Sequence, residues 1–326
     1  MNAPWLTVAM TTYNAGVYLK AALDSVAAQA DDGVEVVVVD DGSADDTIAI
    51  LESYRRRLDL RVIARSHTGN WIASMNEGLH TGRGRYACFL HHDDVWLPGR
   101  LEAARSAVAG DPEAVLLMSP SWFVDPAGAR LNLWRCPLPE GRSPSPEFVV
   151  ERLLVQNFIA VPAPVFRRGV ALEVGGLDEE NWHSADWDFW LKLAAAGPTT
   201  YVGRPLTGYR IHPVAATWRG TGRAAAYRWQ MDNVLDRHFA AWEGRRPARR
   251  AVQRVARLSV EANLCLAAYA HGHRPGWSGV AGRFLALGPA GWHRYFRDSR
   301  IVERVGARLR AGVLHWGGVP GAPRTV

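Results

Sequence analysis

Tyr86-Ala87-Cys88-Phe89-Leu90 is an apolar run that stops abruptly on His91-His92-Asp93-Asp94. Such a run reads as a buried strand, and in an open parallel sheet ligands bind just beyond the carboxyl ends of the strands. Two adjacent carboxylates beside two imidazoles suit a divalent cation, because carboxylate oxygens are hard ligands. A cation held there would neutralise a phosphate-bearing substrate. The plain alternative is a solvated loop and helix cap ahead of Pro98. A second acidic pair, Asp40-Asp41, closes the β-branched run Val34–Val39 and leads into Gly42-Ser43. A carboxylate at the end of a buried strand accepts hydrogen bonds from a base N–H or a ribose hydroxyl; here too a turn and cap is the alternative. A third acid, Asp186, opens the aromatic-rich stretch Asp186-Trp187-Asp188-Phe189-Trp190-Leu191. A helix N-terminus also favours a carboxylate there through its macrodipole.

These acids need a scaffold that gathers distant positions. Strands are predicted at Leu6–Met10, Val34–Val39, Leu60–Ala64 and Tyr86–Leu90. Helices are predicted between them, from Val17 to Gln29, from Ser43 or Asp45 to Arg57, and from Trp71 to Leu79. This alternation is the rhythm of a doubly wound α/β sheet. Right-handed crossovers put every strand-to-helix loop on one edge. That edge would collect Thr11 to Asn14, Asp40 to Ser43, Arg65 to Gly69 and His91 to Asp94. Further on, Pro137 to Pro146 reads as a surface loop, Asp186–Ala196 as a helix, and Tyr201-Val202 and Tyr209 to His212 as short strands. After about Arg219 the pattern becomes helical, with Tyr227, Met231, Val234, Leu235 and Phe239 on one face and Ile301, Val305, Leu309 and Val313 on another.

Of the 326 residues 48% are hydrophobic and 21% charged, which is globular composition and excludes a disordered chain. Cys88, Cys136 and Cys265 are widely separated and make no disulfide framework, so a reducing compartment is expected. No basic-then-apolar leader and no membrane-length apolar stretch is read, so the expectation is a cytoplasmic protein, attached at most to the inner membrane face. Residues 1–218 hold 19 Lys+Arg against 26 Asp+Glu, a net −7, whereas residues 219–326 hold 19 against 6, a net +13. The expected organisation is therefore an acidic catalytic domain over 1–218 and a basic, mostly helical extension over 219–326.

Val8-Ala9-Met10-Thr11-Thr12-Tyr13-Asn14, Glu35–Asp46, Asn76-Glu77-Gly78, Phe89–Trp96, Gly175–Glu179 and Asp186–Leu191 occur in this order. As a set they resemble the family 2 inverting glycosyltransferases, over roughly residues 6–213. The resemblance implies a GT-A fold, a Rossmann-like, mostly parallel mixed sheet flanked by helices. It also implies transfer of a sugar from a nucleotide-diphosphate donor to a hydroxyl acceptor, as in glycan or polysaccharide biosynthesis. Asp40 then matches the position that holds the nucleoside, flanked by Thr11 and Tyr13, with Arg65 suited to a base edge or a phosphate through its planar fork. Asn76 and His92 fall on matched donor-site motifs. The family's metal motif is Asp-x-Asp; here His91 takes the first position, His92 the middle and Asp93 the second, so Asp93 is the expected ligand of Mn²⁺ or Mg²⁺, with His91 replacing the lost acid. Asp186 matches the general base that removes the acceptor proton, although the usual preceding Glu is Ala185. Gly176 stands in a loop that matches the acceptor and sugar pocket, helix spacing puts Trp187 and Trp190 on roughly one face, where they pack against a sugar or the core, and His212 falls in a segment that folds over the diphosphate as a metal or phosphate ligand.

The expected partners are a nucleotide sugar, with a UDP-sugar as first choice, and a glycan or lipid-linked acceptor. The basic tail reads either as a packing or homo-oligomer surface or as a peripheral membrane contact, in which Trp277, Phe284, Trp292, Tyr295 and Phe296 interleave with arginines. No nucleic-acid module is recognised. The competing readings are a nucleotidyltransferase and a degenerate nucleotide-sugar-binding module without turnover. The first is disfavoured because Thr11 to Gly16 lacks a Gly-rich, Arg-containing loop; His91 and Ala185 speak for the second.

Overall fold

A computed structural model describes residues 3–141, 143–212, 224–243 and 246–312. Strands β1 (Leu6–Thr12), β2 (Val34–Asp40), β3 (Asp59–Ala64) and β4 (Tyr86–Phe89) alternate with helices α1 (Leu19–Ala27), α2 (Thr47–Ser53) and α3 (Trp71–Thr81). Next come β5 (Val95–Trp96), α4 (Arg100–Gly110), β6 (Leu116–Met118), β7 (Ser121–Val124) and β8 (Arg130–Trp134). They are followed by α5 (Pro146–Leu153), β9 (Val165–Arg167), α6 (Arg168–Glu173), α7 (Ala185–Ala196), β10 (Thr199–Tyr201) and β11 (Thr207–Arg210). The helices α8 (Ala224–Ala241), α9 (Arg246–Ala270), α10 (Trp277–Ser299) and α11 (Ile301–Arg310) complete the described chain.

Seven strands form the central sheet in the order β10-β6-β9-β4-β1-β2-β3. The β1, β2, β3 and β4 pairings are parallel, with Thr12 beside Asp40 and Asp40 beside Ala64, whereas β9 runs antiparallel between β4 and β6. The fold is thus the expected mixed, mostly parallel α/β sheet. Every residue of β2 is buried, as a β-branched strand covered on both faces requires. The predicted apolar stripe of α1, Leu19, Ala22, Leu23 and Val26, is the buried one.

A second sheet, β5-β11-β7-β8, was not legible as a unit in the sequence. It matters for the site, because β5 begins immediately after Asp94 and β11 ends two residues before His212, and the two strands pair antiparallel. Their pairing brings residues 93 and 212 together across 119 positions.

One hydrophobic cluster lies between the sheet and α5 and α7, and it continues through Met231, Val234, Leu235 and Phe239 of α8 to Val252 and Val255 of α9. The basic helices therefore share apolar contacts with the element that carries Asp186. Three expectations change. The helix after Asp41 stops at Ser53, short of Arg57. The loop from Pro137 to Pro146 is partly covered, with Leu138 buried, and ends in a helix capped by Ser145, whose Oγ accepts the Phe148 N–H. In α11 the buried residue is Ala307; of the predicted stripe Ile301 packs on the core while Leu309 is exposed, so the stripe is packed only at its start. Val313 and the expected boundary after residue 218 lie outside the described residues.

Candidate functional site

The strand-end loops meet through side chains. At the β2 terminus Asp40 is only 1% exposed, and its carboxylate accepts from Thr12 Oγ1 (2.8 Å), Ser43 N–H (2.9 Å) and Ser43 Oγ (2.6 Å). Those bonds leave it tying β1 to the β2–α2 turn, which corrects its assignment to the nucleoside. Its neighbour Asp41 is turned to the β3–α3 loop. There it accepts from Thr68 N–H (3.0 Å), Thr68 Oγ1 (2.9 Å) and Gly69 N–H (2.8 Å), with Arg65 Nε at 3.3 Å. Burial works to raise the Asp41 pKa, but the donors of Gly69 and Thr68 outweigh it and hold the carboxyl below its usual range. Gly42 permits this approach: its φ is +78°, and a Cβ there would lie 2.8 Å from the His67 nitrogen.

Arg65 spans this rim, reaching Glu77 Oε2 at 3.1 Å and Ser74 Oγ at 2.6 Å as well as Asp41. Tyr13 is exposed and stacks on His67 with ring centroids 4.0 Å apart. Thr11 is buried, and its carbonyl oxygen lies 3.4 Å from His92 Nδ1. Thr11, Tyr13, Arg65 and His92 are thus brought to one edge, as expected.

Beside it, Asp93 Oδ2 lies 2.9 Å from His212 Nε2. The carbonyl of Asp93 accepts from Arg210 Nε at 2.7 Å, and Asp94 Oδ1 accepts the Arg210 N–H at 2.9 Å. The Tyr18 ring supports both partners, 4.9 Å from the imidazole of His212 and 4.8 Å from the guanidinium of Arg210. Burial opposes charge on Asp93, yet the His212 hydrogen bond and the neighbouring imidazoles hold its carboxyl well below the ordinary range. Asp94, buried beside that charge, is pushed well above its ordinary value. Burial and the Asp93 charge thus oppose ionisation of Asp94, while His212 favours it on Asp93.

Among the described residues no three His, Cys, Asp or Glu side chains converge as a closed metal site. Asp93 and His212 nonetheless fit a divalent ion completed by substrate oxygens. They offer one hard oxygen and one imidazole nitrogen in contact, and the far nitrogen of His212, Nδ1, is buried without a partner. His91 is not part of that contact; its Nε2 is buried without a partner, and its ring meets Trp71 edge-on at 5.4 Å.

Asp186 stands in the first turn of α7, half-buried. Its Oδ2 accepts from Asn157 Nδ2 at 2.8 Å and its Oδ1 from the Trp187 N–H at 2.8 Å. Burial pushes its carboxyl up to about 6 against those two bonds. From His91 an aromatic series leads toward it: Trp71 meets Trp182 at 6.5 Å, Trp182 meets His183 at 4.6 Å, and His183 meets Tyr227 of α8 at 5.3 Å. Asn70 Nδ2 donates to Glu179 Oε2 at 2.8 Å, joining the β3–α3 loop to the loop before α7. Ring contacts and this hydrogen bond thus link the loop that Asp41 binds and the loop that carries Asp93 to the segment before Asp186.

Of the two packings open to them, Trp187 and Trp190 both take the core, and Asn76, expected at the donor site, is engaged by the turn before α7. Trp190 is fully buried against Phe89 and Phe166, and Trp187 is buried with its Nε1–H donating to the Leu153 carbonyl at 2.7 Å; both belong to the core under α7. Asn76 spends its amide on Leu177, donating to its carbonyl at 2.8 Å and accepting its N–H at 2.9 Å. It is a clamp for the Gly175–Leu177 turn and not a donor-site contact. Gly176 stands in that turn at φ +64°, where a Cβ would come 2.7 Å from Asn76 Oδ1. Asp188 is buried and engaged by His238 (2.8 Å), Lys192 (2.8 Å) and Arg237 (3.2 Å). Sequence reading missed Asn157, His67 and the Trp71–Trp182 pair. Only His67 carried a signal, since it lies in a strand-end loop; Asn157 lies in an irregular stretch with no motif.

Residues 7–160 match the family model described as glycosyl transferase family 2. An uncharacterized protein of Mycobacterium tuberculosis is 31% identical over 246 residues, covering 72% of this chain and 73% of that one. A PGL/p-HBAD biosynthesis glycosyltransferase of Mycobacterium bovis is 29% identical over 240 residues, covering 73% and 84%. Among solved structures, Staphylococcus aureus TarS 1–349 in complex with UDP-GlcNAc superposes with a TM-score of 0.62 at 16% identity, covering 95% of this chain and 90% of TarS 1–349. A mannosyltransferase from Pyrobaculum calidifontis in complex with GDP-Man and Mn²⁺ gives 0.52 at 20% identity, covering 95% and 88%.

Proposed function

The chain belongs to glycosyl transferase family 2, and on that premise we propose that it is an inverting transferase taking a sugar from a nucleoside-diphosphate donor to a hydroxyl acceptor. Asp186 is the general base, and Asp93 with His212 holds a divalent metal. The observation that carries this reading is Asp186 itself: a half-buried carboxyl in the first turn of α7, held by Asn157 and the Trp187 N–H and pushed up to about 6 by burial. A base must be ionised near neutral pH yet still want a proton, and that value meets both needs.

The proposed step is a single displacement. The acceptor oxygen bonds to the anomeric carbon as the bond from that carbon to the diphosphate oxygen breaks, the hydroxyl proton passes to Asp186, and configuration inverts. Asp41 holds the Thr68–Gly69 backbone and Arg65 in place for the nucleotide. Arg210, fixed between Asp93, Asp94 and the Asp125 and Pro126 carbonyls, keeps the Asp93–His212 pair in register. A cation bound by that pair supplies positive charge for the departing diphosphate.

The donors bound by the two structural neighbours, UDP-GlcNAc and GDP-Man, set the first assays, with a uridine nucleotide tried before a guanosine one. Donor hydrolysis and transfer are measured across UDP- and GDP-sugars with Mn²⁺ and Mg²⁺, for wild type and Asp186→Asn. Transfer by the variant at the wild-type rate removes Asp186 as base; nucleotide binding with no turnover on any donor assigns a binding module instead.

The tail is proposed as a peripheral membrane contact. Among the described residues no helix is long and apolar enough to cross a membrane. On α10, however, Trp277, Leu285 and Phe296 are exposed, Leu285 by 69%, together with Arg283, which supports an interfacial face. Tyr295 is buried and Phe284 stacks on Trp292, so those three are not anchors. Equal flotation with anionic and neutral vesicles at low salt would reject the electrostatic contact.

A further inference from the structure

The C-terminal helices are rich in arginine, and some of these arginines have an acid to meet. Arg228, Arg237, Arg294, Arg297 and Arg300 each reach a carboxylate. Arg304 and Arg308, one helical turn apart on α11, do not. Arg304 Nη2 donates to Asn263 Oδ1 at 3.1 Å, while its Nη1 is shut off from solvent with no hydrogen-bond partner. Arg308 Nη1 donates only to the Arg304 carbonyl, at 3.1 Å. The stretches outside the described residues, 1–2, 142, 213–223, 244–245 and 313–326, contain no Asp or Glu. Among the described residues no carboxylate forms an ion pair with either of these two cations.

Like charges one turn apart repel, and a buried guanidinium without a counter-charge is costly. Burial and Arg308 together bring the Arg304 pKa down to about 10, with Tyr227, Tyr295 and Tyr209 as its other charged or polar neighbours. The Tyr227 phenol feels both this cationic pair and Asp186: burial raises its pKa, Arg304 and Arg308 lower it, and Asp186 raises it. The Tyr227 ring packs on His183, three residues before Asp186, and α8 is fastened there by the His183 N–H, which donates to Gln230 Oε1 at 2.6 Å. The cations thus neighbour Tyr227, which packs on the residue three before Asp186, and Tyr209, which precedes the Arg210 that contacts Asp93.

We propose that Arg304 and Arg308, with the hydroxyl of Tyr227, form an anion subsite on the acceptor side, and that the hydroxyl acceptor of this transferase carries a phosphate. Two guanidiniums offer a double positive charge and several N–H donors, which match the charge and oxygen count of a phosphate better than those of a lone carboxylate. The assignment rests on the transferase reading above and deepens it by naming the acceptor class. The phosphate belongs either to a lipid headgroup or to a soluble phosphorylated alcohol or polymer.

The test is binding to the full chain, followed by tryptophan fluorescence or calorimetry, with octyl phosphate, glycerol phosphate and octyl glucoside as probes. Wild type is expected to bind both phosphates and to ignore octyl glucoside. Arg304→Gln and Arg308→Gln should each weaken phosphate binding at least about tenfold, the loss of a charge-assisted hydrogen bond. The affinity for UDP or GDP with Mn²⁺ should not change. Tighter binding of octyl phosphate assigns a lipid phosphate, and equal binding a soluble one; both support the subsite. Phosphate binding that is absent in wild type, or equal in wild type and variants, overturns it. So does a parallel loss of nucleotide affinity, which would give the cations to the donor diphosphate. If Arg304→Gln does not fold, Arg308→Gln and Arg304→Lys carry the comparison. Phosphate binding that depends on Arg304 in a protein with no transfer activity would defeat the transferase reading and leave the anion subsite standing.

Discussion

Asn157 gives the most direct handle on the chemistry. Its Nδ2–H donates to Asp186 Oδ2 at 2.8 Å, the one side-chain hydrogen bond that the base receives among the described residues. With the Asp186 carboxyl at about 6, kcat/KM should rise through a limb centred there. About a tenth of the protein is active in this sense at pH 5 and about nine tenths at pH 7. A hydrogen bond to a charged group contributes about 1.5–3 kcal/mol, and one pKa unit is about 1.4 kcal/mol, so removing the bond should raise the limb by roughly one to two units. Asn157→Ala is therefore expected to retain little activity at pH 6.5 and to recover most of it by pH 8.5. The assay is initial-rate transfer from pH 5 to 9 with saturating donor, accompanied by circular dichroism, because Asn157 Oδ1 also accepts the Ile159 N–H at 3.0 Å. A limb that stays near 6 in a folded Asn157→Ala protein, or a loss of rate equal at every pH, would refute the link between this bond and the base. The stability consequence has the opposite sign from the activity. A raised carboxyl pKa means that the native state keeps its proton longer than the unfolded chain. The stability tied to Asp186 is therefore fully present below about pH 4 and is lost as pH rises through about 6; Asp186→Asn should flatten that slope in a pH series of denaturant midpoints.

The other perturbations are simpler. Asp93→Asn and His212→Ala should each lower kcat/KM by about 10²-fold or more and raise the Mn²⁺ concentration needed for half-maximal rate; full activity of wild type in chelator would remove the metal from the scheme. Asp41→Asn loses the charged acceptor for Thr68, Gly69 and Arg65, so a loss of about 2 kcal/mol of stability and a weaker nucleotide complex are expected by thermal shift and calorimetry. Gly176→Ala places a Cβ at positive φ against Asn76, and a cost of about 1–2 kcal/mol with faster proteolysis of the turn before α7 is the expected outcome. Asp188→Asn should destabilise the α7–α8 junction, through Lys192, Arg237 and His238, while leaving the pH limb of transfer near 6, because the proposed base is Asp186.

Local pattern was enough for the first half of the chain. Val34–Val39 is β-branched because both faces of its strand are covered, and Thr11–Asn14, Arg65–Gly69 and His91–Asp94 share an edge because parallel strands joined by helices leave them no other place. The same rules could not tell Asp40 from Asp41, since adjacent residues at a strand end point to opposite sides, and only the packed loops decide which neighbours each carboxylate binds. Helical spacing likewise marked Trp187 and Trp190 as partners of Asp186, yet only the sheet beneath α7 made them core. The sequence by itself determined the scaffold and which acids stand at its rim, because periodicity and strand-end position are properties of short segments. Tertiary structure alone decided the contacts made over long separations: His212 on Asp93, Asn157 on Asp186, and Arg304 beside Tyr227. No short-range propensity encodes those pairs; they exist because separate strands and helices bury their apolar faces against one another and carry these polar groups along.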